Sequence, residues 1–177
     1  MFRRSSLVAV LVAVTGLGAA APAGAFVARG PAWPSPTINY YVAGEYRGAV
    51  ARPARAWNRA GVGVRLRRTS RANAALLIGK WDSRCGGAAL VGYVGPRHRS
   101  QMLIGTGCGD LRLVSIVATH EFGHVIGLDH ENSKCALMNP TFDQTGTPTH
   151  CGRHPISFWY AKPLRADDLR GARALYG

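Results

Sequence analysis

From residue 26 onward, apolar and polar positions alternate in short runs before they settle into a helical period. Residues 37–42, TINYYV, combine β-branched and aromatic side chains and predict a first strand. Over residues 50–60 the apolar positions Ala54, Trp57 and Ala60 recur at helical spacing, and Gly61 follows as a stop. Residues 62–68, 74–79 and 100–105 read as three further strands. Asp110 then stands where an N-cap is wanted. The segment after it is apolar around most of its circumference, through Leu111, Leu113, Val114, Ile116, Val117, Phe122 and Val125. Such a helix belongs in the interior, and whatever it carries is held rigidly. The order of elements is that of an α/β chain.

The first residues obey a different pattern. Arg3 and Arg4 precede an apolar run over residues 7–17, and Ala23-Gly24-Ala25 supplies the small residues of a cleavage site. This predicts a signal peptide over residues 1–25, of the general export type rather than the twin-arginine type. Cleavage after Ala25 leaves 177 − 25 = 152 residues, beginning at Phe26 and forming one domain over 26–177. The apolar run is too short to span a bilayer, so no stable membrane anchor is expected.

Export changes the meaning of the four cysteines. Cys85, Cys108, Cys135 and Cys151 show no CxxC spacing, which predicts two disulfides rather than a thiolate metal site. Of the three pairings, Cys85 with Cys108 and Cys135 with Cys151 join the segments nearest in sequence, at about 3 kcal/mol per loop in the chain-entropy model. The formal net charge of +13 falls to +11 without Arg3 and Arg4. A polyanion partner is one reading of that balance. The other is compositional bias, because nineteen arginines against three lysines are spread along the chain. The densest group, Arg65, Arg67, Arg68 and Arg71, alternates as on an exposed strand face. No nucleic-acid partner is expected.

The chemistry sits in residues 120–130, HEFGHVIGLDH. At about 100° and 1.5 Å per residue, His120 and His124 lie within roughly 40° of each other, one turn apart, and can reach a single ion. Glu121 falls about 60° to 100° away, which suits a base beside the ion better than a third ligand. Were the helix to continue, His130 would lie about 15 Å along it, too far for a zinc–nitrogen bond of about 2.0 to 2.1 Å. The helix must therefore end, and Gly127 can take the positive φ that turns the chain back. Three imidazoles and one acid are what a zinc-activated water needs to attack an amide.

HExxHxxGxxH with a methionine downstream, here Met138 within Ala136-Leu137-Met138-Asn139-Pro140, resembles the metzincin peptidases, and most of all their matrixin branch. The resemblance implies a twisted, mostly parallel sheet of four to five strands with three main helices, the central one carrying the zinc motif. It implies a secreted zinc endopeptidase with His120, His124 and His130 as metal ligands, Glu121 as general base, and protein or peptide substrates. Met138 would be an apolar floor beneath the ion. Some metzincins place a tyrosine ligand two residues after that methionine, where this chain has Pro140, so water should complete the sphere. Residues 164–177, LRADDLRGARALYG, resemble the closing helix of matrixins. There the aspartate pair anchors the helix under the site, and Asp167 or Asp168 would meet the ammonium of Phe26; the plainer alternative is that both complement the helix dipole.

An extended substrate is expected along an edge strand near residues 101–104, because main-chain pairing recognises peptides regardless of sequence. The family resemblance adds a further expectation. It places Ile116 and residues 140–142 at a pocket for an apolar side chain. The middle of the chain departs from the family. Among residues 81–110 only Asp82, His98 and Asp110 are comparable to its structural zinc and calcium ligands, so those ions are not carried over, and Cys85–Cys108 would substitute as a cross-link. No inhibitory cysteine stands between leader and domain. His150 and His154 read as surface residues, and the protein as a monomer. Two rival readings stay open: a secreted zinc amidase acting on cell-wall peptides, and a non-catalytic binding protein on the same scaffold, against which an intact Glu121 speaks.

Overall fold

The computed structural model describes residues 26–81, 84–105 and 107–177. The expected signal peptide and Asp82 lie outside them. In chain order the elements are β1 (Val27–Ala28), β2 (Thr37–Val42), a 3-10 turn (Gly44–Tyr46), α1 (Arg47–Arg59), β3 (Arg65–Arg68), β4 (Leu76–Lys80), β5 (Gly87–Ala89), β6 (Ser100–Ile104), α2 (Leu111–Val125), β7 (Leu128–Asp129), α3 (Ile156–Ala161) and α4 (Ala166–Tyr176). The fold is mixed α/β with a five-stranded, mostly parallel sheet and three main helices, α1, α2 and α4; α3 has only six residues.

The strand order is β3-β2-β4-β6-β5. A helix of thirteen residues, α1, joins β2 to the parallel β3, as a crossover between parallel neighbours requires. β2 and β4, and β4 and β6, also run parallel, whereas β5 pairs antiparallel with β6. β6 is thus an interior strand, which corrects the expectation of a substrate edge at residues 101–104. The edge beside it is β5, in register Gly87↔Ile104, Ala88↔Leu103 and Ala89↔Met102. Glycine and alanine give no alternation of apolar and polar positions, so the pattern that finds the other strands passes over this one. The opposite edge, β3, carries Arg65, Arg67 and Arg68, charges of the kind that discourage pairing with another chain.

One face of the sheet buries Ile38, Tyr40, Val42, Leu76, Ile78, Met102 and Ile104 in the same cluster as Val50, Ala54 and Trp57 of α1 and Val114, Ala118, Phe122 and Val125 of α2. Trp57 crosses this contact and donates from Nε1 to the carbonyl of Thr119 at 2.9 Å. Asp110 caps α2 as expected, its side chain accepting from the backbone of Arg112 at 2.8 Å. Both disulfides have the expected pairing, Cys85–Cys108 and Cys135–Cys151. Among the described residues no helix is long and apolar enough to cross a membrane.

Candidate metal centre

Every residue of α2 from Leu113 to Val125 is buried, which is unusual for a segment containing two histidines and a glutamate. The helix ends one residue later. Gly127 has φ 108° and its N–H returns to the carbonyl of His124 at 2.8 Å, the left-handed termination the spacing demanded. The chain then enters β7, which pairs antiparallel with β1 through Val27↔Asp129 and Ala28↔Leu128. This places His130 against the helix it has just left.

The three rings converge. Nε2 of His124 lies 3.1 Å from Nε2 of His120 and 3.2 Å from Nε2 of His130. Nδ1 of His120 faces the carbonyl of Leu137 and Nδ1 of His124 that of Leu128, each at 2.8 Å. A carbonyl only accepts, so both Nδ1 atoms carry the proton and both Nε2 atoms present bare lone pairs to each other. Two lone pairs at 3.1 Å repel unless a cation lies between them. For comparison, two nitrogens about 2.0 to 2.1 Å from a tetrahedral zinc ion stand about 3.3 Å apart. Burial first, and the neighbouring His124 next, push His120 down to about 3, and burial lowers His124, so both rings are neutral as metal binding needs. Donor set and spacing therefore fit zinc, and this is the one such group of three among the described residues.

Glu121 is 4% exposed beside them, its Oε2 buried without a partner. Burial pushes its carboxyl up to about 8. The ring of Phe142 meets His120 edge-on, with centroids 5.3 Å apart. These groups open onto a cleft of about 600 Å³ lined by Trp81, the strand β5, Leu113 and Val117 of α2, and residues 140–143. Pro140 and Phe142 are where the resemblance put them. Ile116 is not: it packs with Leu137 and Trp159 and borders a second concavity, of about 430 Å³, lined also by Arg52 and Arg55 of α1 and by Lys162. The helical period explains the difference, because Val117 and Leu113, one and two turns before His120 and Glu121, share their face.

The floor is built from distant parts. Met138 is buried, and a methyl group on Gly123, between the two helical histidines, would overlap its sulfur. Asp168 at the start of α4 accepts from the backbone N–H of Leu137 at 2.9 Å, of Met138 at 3.1 Å and of Arg165 at 2.7 Å. That carboxylate is thereby engaged, and its neighbour Asp167 is placed differently. Its Oδ1 meets Arg170 at 2.6 Å while Oδ2 is buried with no partner. Glu131 and Asn139 tie the intervening loop: Glu131 accepts from the backbone of Lys134 at 3.0 Å, and Asn139 Nδ2 donates to the carbonyls of Glu131 and Lys134. His154 stacks on Phe158 and His150 is exposed, both apart from the cluster. Asp110 is spent on its cap and Arg112. Gly123, Gly87 and Asp168 are the parts that residue spacing did not single out. A glycine inside a helix, costing about 1 kcal/mol against alanine, was the available signal for the first.

Comparison with known proteins gives two family models and several relatives. The matrixin model matches residues 108–177, and the astacin peptidase model matches residues 27–137, more than half of the chain. Matrix metalloproteinase-9 of Canis lupus familiaris is 42% identical over 62 residues, which are 35% of this chain and 7% of that protein. Macrophage metalloelastase of Oryctolagus cuniculus is 40% identical over 62 residues, 35% of this chain and 11% of that protein. Stromelysin-3 of Rattus norvegicus is 41% identical over 61 residues, 34% of this chain and 10% of that protein. The chain thus matches a small part of each of these longer relatives.

Proposed function

The chain belongs to the metzincin zinc metallopeptidases, the group of astacins and matrixins, and on that premise we propose that it is a secreted endopeptidase cleaving proteins and peptides outside the cell. The single observation that carries the reading is the convergence of three Nε2 atoms, two of them held as bare lone pairs by backbone carbonyls, beside a buried carboxylate without a partner. His120, His124 and His130 would hold the zinc ion. When bound, zinc supplies a Lewis acid that polarises a carbonyl and brings the pKa of water at its open position down to about 7.

The chain's own residues do the rest. An extended peptide adds to the free edge of β5, where main-chain pairing recognises it regardless of sequence. Its side chain beyond the cut bond enters between Leu113, Val117 and Phe142, which favours an apolar residue there. Glu121 takes a proton from the attacking water and delivers it to the departing nitrogen, a role worth roughly 10²- to 10⁴-fold in rate. The two disulfides, together with the leader expected over residues 1–25, support an extracellular site of action.

Digestion of casein by wild type and Glu121→Ala, each with and without a chelator, tests the proposal. Wild type alone, without chelator, should be active. Equal digestion by both proteins removes Glu121 as the base, and digestion that a chelator leaves untouched removes the metal. Cleavage of cell-wall peptides in preference to casein moves the substrate class to the amidase reading.

A further inference from the structure

Glu121 has an unusual problem for a group that must sit within a fraction of an ångström of its place. Its buried Oε2 has no hydrogen-bond partner among the described residues, so no hydrogen bond holds that oxygen. Something else must. A side chain at Gly87 in the edge strand β5 would place its Cβ 2.6 Å from Glu121 Cγ, 2.7 Å from Oε1 and 2.8 Å from the carboxyl carbon. All three separations are shorter than real Cβ contacts allow.

The usual reason for a glycine is absent here. Gly87 is not among the residues with positive φ, and it lies in an ordinary strand register opposite Ile104. Alanine would adopt that backbone readily and lose less entropy on folding. What alanine cannot do is leave the acid where it is. With Glu121 buried, a methyl at position 87 forces the carboxylate toward the imidazole cluster or out into the cleft.

We propose that Gly87 is the positioning residue for Glu121: the space left by its missing side chain seats the carboxylate, and the backbone of β5 is the wall that fixes it. This rests on the reading of Glu121 as general base and extends it, because the strand that seats the base is also the strand to which substrate adds. The same backbone then sets the distance between the acid and the peptide it serves.

The test is Gly87→Ala, with Gly48→Ala as control, since nothing lies within 4 Å of a Cβ at Gly48. Steady-state kinetics on a peptide substrate, zinc content and melting temperature are measured for wild type, Gly87→Ala, Glu121→Ala and the double variant. Displacement of a catalytic group by about 1 Å costs about 10²-fold. Gly87→Ala should therefore lose about 10²-fold in kcat, with KM within about twofold, one zinc per chain retained and a melting temperature equal to or above that of wild type. Because both substitutions act through one carboxylate, adding Gly87→Ala to Glu121→Ala should cost nothing further. A Gly87→Ala protein with wild-type kcat overturns the inference. So does a loss that persists undiminished in the Glu121→Ala background, a rise in KM alone, or loss of zinc or of stability, which would make the residue one of substrate pairing or of folding. A fully active Glu121→Ala removes the function reading and this inference together, whereas normal dependence on Glu121 with a fully active Gly87→Ala removes this inference alone.

Discussion

Gly123→Ala is the substitution whose sign ordinary helix rules get wrong. Inside a helix, alanine for glycine gains about 0.8–1.0 kcal/mol, because the unfolded chain loses freedom that glycine would have kept. Position 123 has no room to collect that gain. The new methyl would overlap Met138 Sδ, sit 3.1 Å from its Cε and 3.5 Å from Trp57 Cζ2, all in the buried floor of the site. Overpacking of a filled core costs about 1–3 kcal/mol. The variant should therefore be less stable than Gly48→Ala, an α1 glycine with open space around it, by about 1–3 kcal/mol. At roughly 2–4 °C per kcal/mol for a chain of this size, the difference is readable in thermal melts as well as in urea midpoints. Metal affinity should fall too, since the Leu137 carbonyl that orients His120 adjoins the displaced methionine, and outer partners of metal ligands are typically worth about 10- to 100-fold. Repeating the change in a Met138→Ala background removes the obstacle, and Gly123→Ala should there recover the ordinary gain. Stabilisation of about 1 kcal/mol in the wild-type background, or a cost unaffected by removing Met138, would refute the packing argument.

Burial pushes Asp168 up to about 6 despite three backbone donors, so its folded value stands above the ordinary 3.8. Its stabilising contribution is then complete below about 3.8 and lost as pH rises through about 6. Relative to Asp168→Asn, wild type should lose up to about 3 kcal/mol between pH 4 and 7, at about 1.36 kcal/mol per pH unit of displacement. Urea curves at four pH values, with chelator present throughout, check this; a difference that stays flat or grows with pH refutes it. Replacing Cys135 and Cys151 together by serine opens a loop of sequence separation 16 and should cost about 3 kcal/mol. A midpoint that does not move would show that the loop is held by Glu131 and Asn139 instead.

The parts of the fold legible beforehand were those with a strong period. β2 is found with its boundaries, and β3, β4, β6, α1 and α2 within one to three residues at most of their ends, because each buries one face or, in α2, nearly all of its surface. β5 escaped because Gly87, Ala88 and Ala89 have no contrast to read, and its loss misplaced the sheet edge onto β6. The direction of the strands was supplied by resemblance rather than by the residues. In the cluster, His120 and His124 follow from helix geometry alone, and Gly127 follows from the distance His130 has to recover. Gly87 does not follow, since it acts on Glu121 across 34 residues of sequence, and Asp168, which acts on Leu137 across 31, was pointed to by the resemblance of the closing helix and not by spacing. Nothing local marks such a partner. The Ile116 expectation failed for a related reason: resemblance transferred a neighbourhood, while the helical period assigns that face to Leu113 and Val117.

These contacts share one property: each involves a backbone group or the absence of a side chain. Carbonyls of Leu128 and Leu137 set the tautomers of two histidines, N–H groups of Leu137 and Met138 rest on Asp168, and the bare backbone of Gly87 seats Glu121. Backbone groups cannot swing between rotamers, so the constellation is fixed by strand pairing and helix ends rather than by a shell of mobile side chains. The arrangement leaves each element with a definite duty. β7 must pair with β1 to hold the Leu128 carbonyl over His124, and α4 must dock to hold the Leu137 carbonyl over His120. Both ends of the described chain are thus coupled to the same two imidazoles. Loosening of either end should reach the metal ligands before it reaches the sheet, whose Ile38 and Leu76 are wholly buried beneath α1 and α2.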